Sequence, residues 1–125
     1  MAIVVEIHLI NVENGDATAI AVFDHDGTDK KIISSILIDG GYRNDNLVYE
    51  YMAVNGLLKG DKIDMLVITH FHADHFNGLM WAALNPKCIG YLIDPGGGDP
   101  GRHKPRHFPN VDSKDYVNIV RLNSR

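Results

Sequence analysis

THFHADHFNG, residues 69–78, follows directly on the apolar run Ile63-Asp64-Met65-Leu66-Val67-Ile68, and its reading decides the rest of the chain. Three of the chain's seven histidines, His70, His72 and His75, fall within six residues together with Asp74. The nearly continuous apolar run predicts a strand over 63–69 that is buried on both faces of an α/β sheet. Ligand sites in such sheets lie outside the carboxyl ends of the strands, which is where this cluster hangs. His70 and His72, two apart on a chain leaving a strand, can face the same side. Asp74 and His75 approach from another direction, leading into a short helix predicted over Asn77-Gly78-Leu79-Met80-Trp81-Ala82-Ala83-Leu84. Imidazole suits Zn²⁺, Fe or Mn²⁺, and a carboxylate adds the negative charge that holds a second dication nearby. The cluster therefore predicts two divalent metal ions.

Working outward, residues 3–12 and 17–23 are β-branched and apolar, and Asn14-Gly15-Asp16 between them supplies hairpin turn chemistry. A polar turn cluster, Asp24-His25-Asp26-Gly27-Thr28-Asp29, leads to a third strand over 32–38 that closes on Asp39-Gly40-Gly41. Apolar residues at 47, 48, 51, 52, 54 and 58 follow helical spacing, with Asn44-Asp45-Asn46 as capping candidates before them and Gly60 after. Cys88-Ile89-Gly90-Tyr91-Leu92-Ile93 reads as a further strand, residues 94–101 as a loop, and the alternation at 116, 117, 119, 120 and 122 as another strand or short helix.

The chain has 125 residues, 45% hydrophobic and 22% charged, which is the balance of a folded protein of one domain or part of one. A net charge of −4 argues against a surface basic all over, so nucleic-acid contact would need a local patch. Arg102-His103-Lys104-Pro105-Arg106-His107 is the densest basic segment; it can meet a phosphate backbone, although a solvated loop is the simpler reading. A single cysteine, Cys88, excludes an internal disulfide framework and fits a reducing compartment; it reads as a small core hydrophobe. No apolar segment is long enough for a membrane-spanning helix and no signal peptide precedes the first strand, so the expected location is the cytoplasm, with no membrane partner.

A histidine taken alone is more often a hydrogen-bonded or surface residue than a ligand, which is the reading for His8, on a strand, and His25, in a polar turn. H-x-H-x-D-H after a buried strand and before a helix is hard to reconcile with a solvated loop. As His70-Phe71-His72-Ala73-Asp74-His75 it resembles the signature of the metallo-β-lactamase superfamily, as do the hairpin and the strand ending Ile38-Asp39-Gly40-Gly41. The resemblance implies that His70 and His72 serve one metal and that Asp74 and His75 serve the other. It implies that Asp39 orients the metal loop without itself ligating, and that a hydroxide held between the ions attacks a phosphorus or carbonyl centre, with Asp74 orienting it. Val12-Glu13-Asn14-Gly15-Asp16-Ala17 resembles, within that superfamily, the lactamase-type domain of the DNA-uptake competence protein ComEC and its stand-alone relatives. That branch implies a phosphodiesterase or nuclease. His72 stands where flavodiiron oxygen reductases carry glutamate, which argues against that redox branch.

Superfamily members are built from two αβ halves packed sheet to sheet in a four-layer αββα sandwich, and residues 1–125 resemble the N-terminal half. The second half, shortened away or carried on another polypeptide, is then the expected partner and the source of the remaining ligands. Asp94, Asp99, His103 and His107 are candidates too, with loop solvation as the simpler role of each. Two function classes follow: a dinuclear metallohydrolase, with phosphodiester or nucleic acid ahead of lactone, thioester or β-lactam, and a non-catalytic metal-binding half-domain that acts through an interface.

Overall fold

The computed structural model describes residues 2–43, 45–70, 72–79, 89–94 and 119–121. Its elements are β1 (Ile3–Leu9), β2 (Thr18–Asp26), β3 (Asp29–Ile38), α1 (Leu47–Val54), β4 (Ile63–Val67), α2 (Ala73–Phe76), β5 (Ile89–Asp94) and β6 (Ile119–Arg121). The six strands form one mixed sheet in chain order. β1, β2 and β3 pair antiparallel, and β3 through β6 pair parallel, with α1 in the β3–β4 crossover. Among the described residues no helix is long and apolar enough to cross a membrane.

The hairpin of β2 and β3 runs further than the apolar pattern indicates. Asp26 pairs with Asp29, so only Gly27-Thr28 turns the chain, with Gly27 at φ 63° as a two-residue loop requires. Residues 24–29, expected to be a turn, are therefore mostly ladder, and His25 lies on β2. Both faces are exposed there, which lets polar residues occupy strand positions. β1 and β2, in contrast, are joined by a long loop. Residues 10–17 fold inward, burying Ile10, Val12 and Ala17, with the Ile10 N–H donating to the Ala17 carbonyl at 2.9 Å.

Helix α1 ends at Val54, four residues before Leu58, the last position of the expected helical spacing. Gly56, at φ 69°, takes the left-handed conformation, and the Leu57 N–H donates to the Met52 carbonyl at 2.8 Å, a Schellman closure. Leu57 then drops into the core, fully buried, so its apolar character marks a loop anchor. Gly60, the expected stop, instead forms with Asp61 a turn of two positive φ values between Lys59 and Lys62 that enters β4. At the helix start the Asp45 carboxylate accepts from the Leu47 N–H at 3.1 Å, while the Asn46 amide donates to Glu50.

One sheet face carries the core. Ala19, Leu37, Leu66 and Leu92 align across β2 to β5, are fully buried, and sit in one cluster with Val48 and Met52 of α1. Burying each leucine stabilises the fold by roughly 1.5–3 kcal/mol. Ser35, also fully buried, donates its hydroxyl to the Leu57 carbonyl at 2.6 Å, and its N–H donates to Asp64 Oδ2 at 3.0 Å. Ser35→Ala leaves that carbonyl unpaired and is expected to cost about 1–2 kcal/mol, read as a lower urea midpoint at unchanged m-value.

The other face is largely open. The row Ile7, Ile20, Ile36, Met65 and Tyr91 runs across five strands, followed by Leu9, Thr18, Ile38, Val67 and Ile93. None of these residues is buried, and Leu9 is 81% exposed. β4 is thus not buried along both faces as its composition suggests: Ile63 at its start and Leu66 are fully buried, while Met65 and Val67 are only half-buried.

Several expected features lie outside the described residues: most of the helix expected at 77–84, Cys88, the 95–101 loop, Asp99, and the 102–107 segment with His103 and His107. Of the segment expected at 115–122, residues 119–121 are described, as strand β6.

Candidate metal centre

The site assembles where β3 and β4, parallel neighbours, both end. The Asp39 N–H donates to the Val67 carbonyl at 2.9 Å, which extends the ladder by one bond before the two chains diverge. Asp39 then adopts φ 58°, a conformation that short polar side chains tolerate, and its carboxylate turns back toward the start of the metal loop. It is 4% exposed. Its Oδ1 accepts from the Thr69 N–H at 2.9 Å, and its Oδ2 accepts both the Thr69 hydroxyl at 2.6 Å and His75 Nδ1 at 2.9 Å.

This arrangement sets the tautomers of two imidazoles. With its proton given to Asp39, the Thr69 oxygen accepts from His70 Nδ1 at 2.9 Å. His75 Nδ1 donates directly to Asp39. Both rings then present unprotonated Nε2 atoms, the form a metal requires. Burial holds His70 below its ordinary pKa, with positive charge on His75 or His72 acting the same way and the carboxylates of Asp39 and Asp74 opposing. The neutral, ligating form is favoured as a result.

Helix α2 begins immediately after His72, whose φ −76° and ψ 143° are extended, so the helix starts at Ala73 and not at Asn77. That start turns Asp74 and His75 toward the strand end. The His70 ring centroid lies 4.0 Å from that of His75 and 4.6 Å from that of His72, and His75 Nε2 lies 3.7 Å from Asp74 Oδ1. The four motif residues are thus neighbours in a chain of pairwise contacts. Asp39, His70 and His75 each offer a donor atom within 4.8 Å of the others. Asp39 Oδ2 is already bonded to His75 Nδ1 and the Thr69 hydroxyl to His70 Nδ1, so the Nε2 atoms are the ring donors left for a metal. His72 and Asp74 fall outside that tight group; His72 is exposed and Asp74 half-buried.

Tight glycine contacts hold the loops together. The Gly40 N–H donates to the His75 carbonyl at 2.7 Å and the Gly78 N–H to the Gly41 carbonyl at 2.8 Å, so α2 is strapped to the end of β3 by two backbone bonds. A Cβ on Gly78 would fall far inside van der Waals contact with the Gly40 carbonyl.

Other histidines and acids lie elsewhere. His8 Nδ1 and the Tyr51 hydroxyl are 2.8 Å apart, a structural hydrogen bond, and His25 is exposed. Asp94, expected in a solvated loop, is the last residue of β5 and 4% exposed, because the strand runs one residue beyond its apolar stretch. Sequence reasoning missed Thr69, whose hydroxyl links Asp39 to His70, and Asp16, whose Oδ2 lies 3.7 Å from His75 Nε2. Thr69 adjoins the motif and was within reach of a local reading; Asp16 reads locally as a turn residue, and nothing local brings it to His75.

A buried carboxylate and a histidine loop, gathered where two parallel strands end, give this α/β sheet a candidate metal site. The family model of the metallo-β-lactamase superfamily matches residues 34–114, and the chain belongs to that superfamily. No curated protein matches the sequence.

Proposed function

We propose that the chain is the N-terminal part of a metallohydrolase in the ComEC-like branch of the superfamily, with a dinuclear site acting on phosphodiesters or nucleic acid. His70 and His72 hold one divalent ion, and Asp74 and His75 the other; Zn²⁺ suits these donors first, with Mn²⁺ or Fe as alternatives. The observation that carries this reading is the hydrogen-bond fan of Asp39, which leaves Nε2 of both His70 and His75 free for a cation. When bound, the two ions supply a hydroxide at neutral pH and stabilise the negative charge that develops on the substrate. Asp74, half-exposed beside His75, orients the attacking water, while Asp39 and Thr69 hold the imidazoles in place. The branch reading rests on the resemblance carried by Val12–Ala17, a stretch whose Asn14-Gly15-Asp16 turn packs against the metal loop.

The open sheet face supports a partner. A second half of the same fold, on this or another polypeptide, would cover Ile7, Ile20, Ile36, Met65 and Tyr91 and complete a four-layer αββα sandwich. That half would bring the remaining ligands.

A second reading is a metal-binding half-domain that acts only through this face. It is favoured by the tight group comprising Asp39, His70 and His75 without His72 or Asp74. Asp74→Asn separates the two. In the hydrolase, turnover of bis(p-nitrophenyl) phosphate is expected to fall by about 100-fold or more. In the half-domain, turnover is absent from the start and the substitution leaves association untouched. A lactone, a thioester and a β-lactam assayed alongside identify the electrophile.

A further inference from the structure

β1 stands at the end of the sheet: it pairs with β2 along its whole length, and among the described residues no strand lies on its other side. Ile3–Leu9 thus present an outer row of backbone N–H and C=O groups that the sheet leaves unpaired. Edge strands are ordinarily kept from pairing by proline, lysine, a bulge or a covering element. β1 has no proline, lysine or arginine, and its register with β2 runs without a shift. Its odd-numbered residues are all apolar and all exposed, from 52% at Ile3 to 81% at Leu9.

The charges of β1 select the partner. Glu6 and His8 lie on the core side of the strand, opposite the buried Ala21 and Ala19 of β2. Lys30, bonded to Glu6, holds its carboxyl below the usual range, so Glu6 stays ionised. His8 Nδ1 faces the Tyr51 hydroxyl at 2.8 Å, which leaves Nε2, 3.5 Å from Glu6 Oε1, as the nitrogen that meets carboxylates. Directly opposed residues of an antiparallel pair share a face, so a second copy of β1 has few registers open to it. Centred on Glu6, two glutamates meet, and like charges directly opposite destabilise. Centred on Val5, each Glu6 meets the apolar Val4; centred on His8, residues 7–9 alone overlap. Centred on Ile7, each Glu6 meets His8 of the other copy, Ile7 meets Ile7, and Val5 meets Leu9. That register satisfies both the charges and the apolar row.

We propose that β1 is the interface of a symmetric dimer, in which residues 5–9 pair antiparallel with those of a second copy about a two-fold axis at Ile7, joining two six-stranded sheets edge to edge. The axis runs perpendicular to the sheets, so both open faces stay on one side and remain accessible to a second half of the fold. The inference stands independently of the metal site.

Sedimentation and disulfide mapping of the whole chain test it. At about 0.1 mM the wild-type chain is expected to sediment as a concentration-dependent dimer, since so short a ladder gives a small, weak interface. On oxidation Ile7→Cys links to itself, read by mass spectrometry of the joined peptides, whereas Val5→Cys links only when mixed with Leu9→Cys. The two copies of position 5 stand roughly 14 Å apart in this register, beyond the ~7 Å that a disulfide spans. Ile36→Cys, on the open face of β3, is the control and stays unlinked. Three results would overturn the inference: a wild-type chain that is monomeric at that concentration, an Ile7→Cys chain that stays unlinked, or Val5→Cys linking to Ile7→Cys, which would mean the register centred on Glu6. Linkage of Ile36→Cys in place of Ile7→Cys would show that two copies stack through their open faces instead.

Discussion

Asp39→Ala is expected to lower stability by about 2–4 kcal/mol and to weaken metal binding by about 10- to 100-fold, although in the proposed site Asp39 supports the ligands and holds neither ion itself. Three hydrogen bonds converge on its carboxylate, from the Thr69 N–H, the Thr69 hydroxyl and His75 Nδ1. Alanine removes all three, and at φ 58° it also loses the tolerance of short polar side chains for the left-handed region. Freed of its acceptor, the His75 ring can rotate or change tautomer, and Thr69 no longer has a fixed direction in which to hold His70. Asp39→Asn keeps the size and the backbone tolerance but loses the charge. Its stability should therefore fall between the two, while its affinity for Zn²⁺ stays close to that of the alanine variant. Urea denaturation of the metal-free chain and Zn²⁺ titration separate the two effects; a full-affinity Asp39→Ala chain would show that the ligands need no such support.

Gly78→Ala is the second large effect, expected at or above the roughly 3 kcal/mol upper end for overpacking. The added Cβ meets the Gly40 carbonyl, with the Arg43 carbonyl at 3.2 Å, and no flexible side chain is available to yield. α2 must part from the end of β3, which also stretches the Gly40 to His75 and Gly78 to Gly41 bonds. The melting temperature should drop by about 10 °C or more, with loss of metal binding as the loop shifts. A variant that melts as wild type would mean that the two segments do not approach as described.

The strands and the position of the motif were readable because both are written locally. Alternation and turn residues mark the first hairpin, and the apolar run at 63–68 leads straight to the histidines. What escaped depends on tertiary contacts. Asp24 to Asp29 lack an apolar pattern because the hairpin tip is exposed on both faces, yet the backbone ladder continues through them. Leu58 continues helical spacing only by coincidence, since the chain has left α1 at Gly56, and Leu57, outside that spacing, is the residue that is buried. Met65 and Val67 look like core residues, while the structure leaves their side of the sheet half-covered. From sequence Gly40 and Gly41 mark only where the third strand closes; the need at Gly40 is room for Gly78 and Leu79. Asp16 reaches His75 across the fold, through a loop whose buried anchors, Ile10, Val12 and Ala17, read as ordinary strand residues.

The central claim is that this strand-end cluster holds two divalent ions. Native mass spectrometry of the whole chain loaded with Zn²⁺, beside a His70→Ala/His75→Ala chain, measures it directly. Two ions on the wild-type chain and none on the double variant is the predicted result. A wild-type chain that retains fewer than two ions, or a double variant that loads equally, would contradict it.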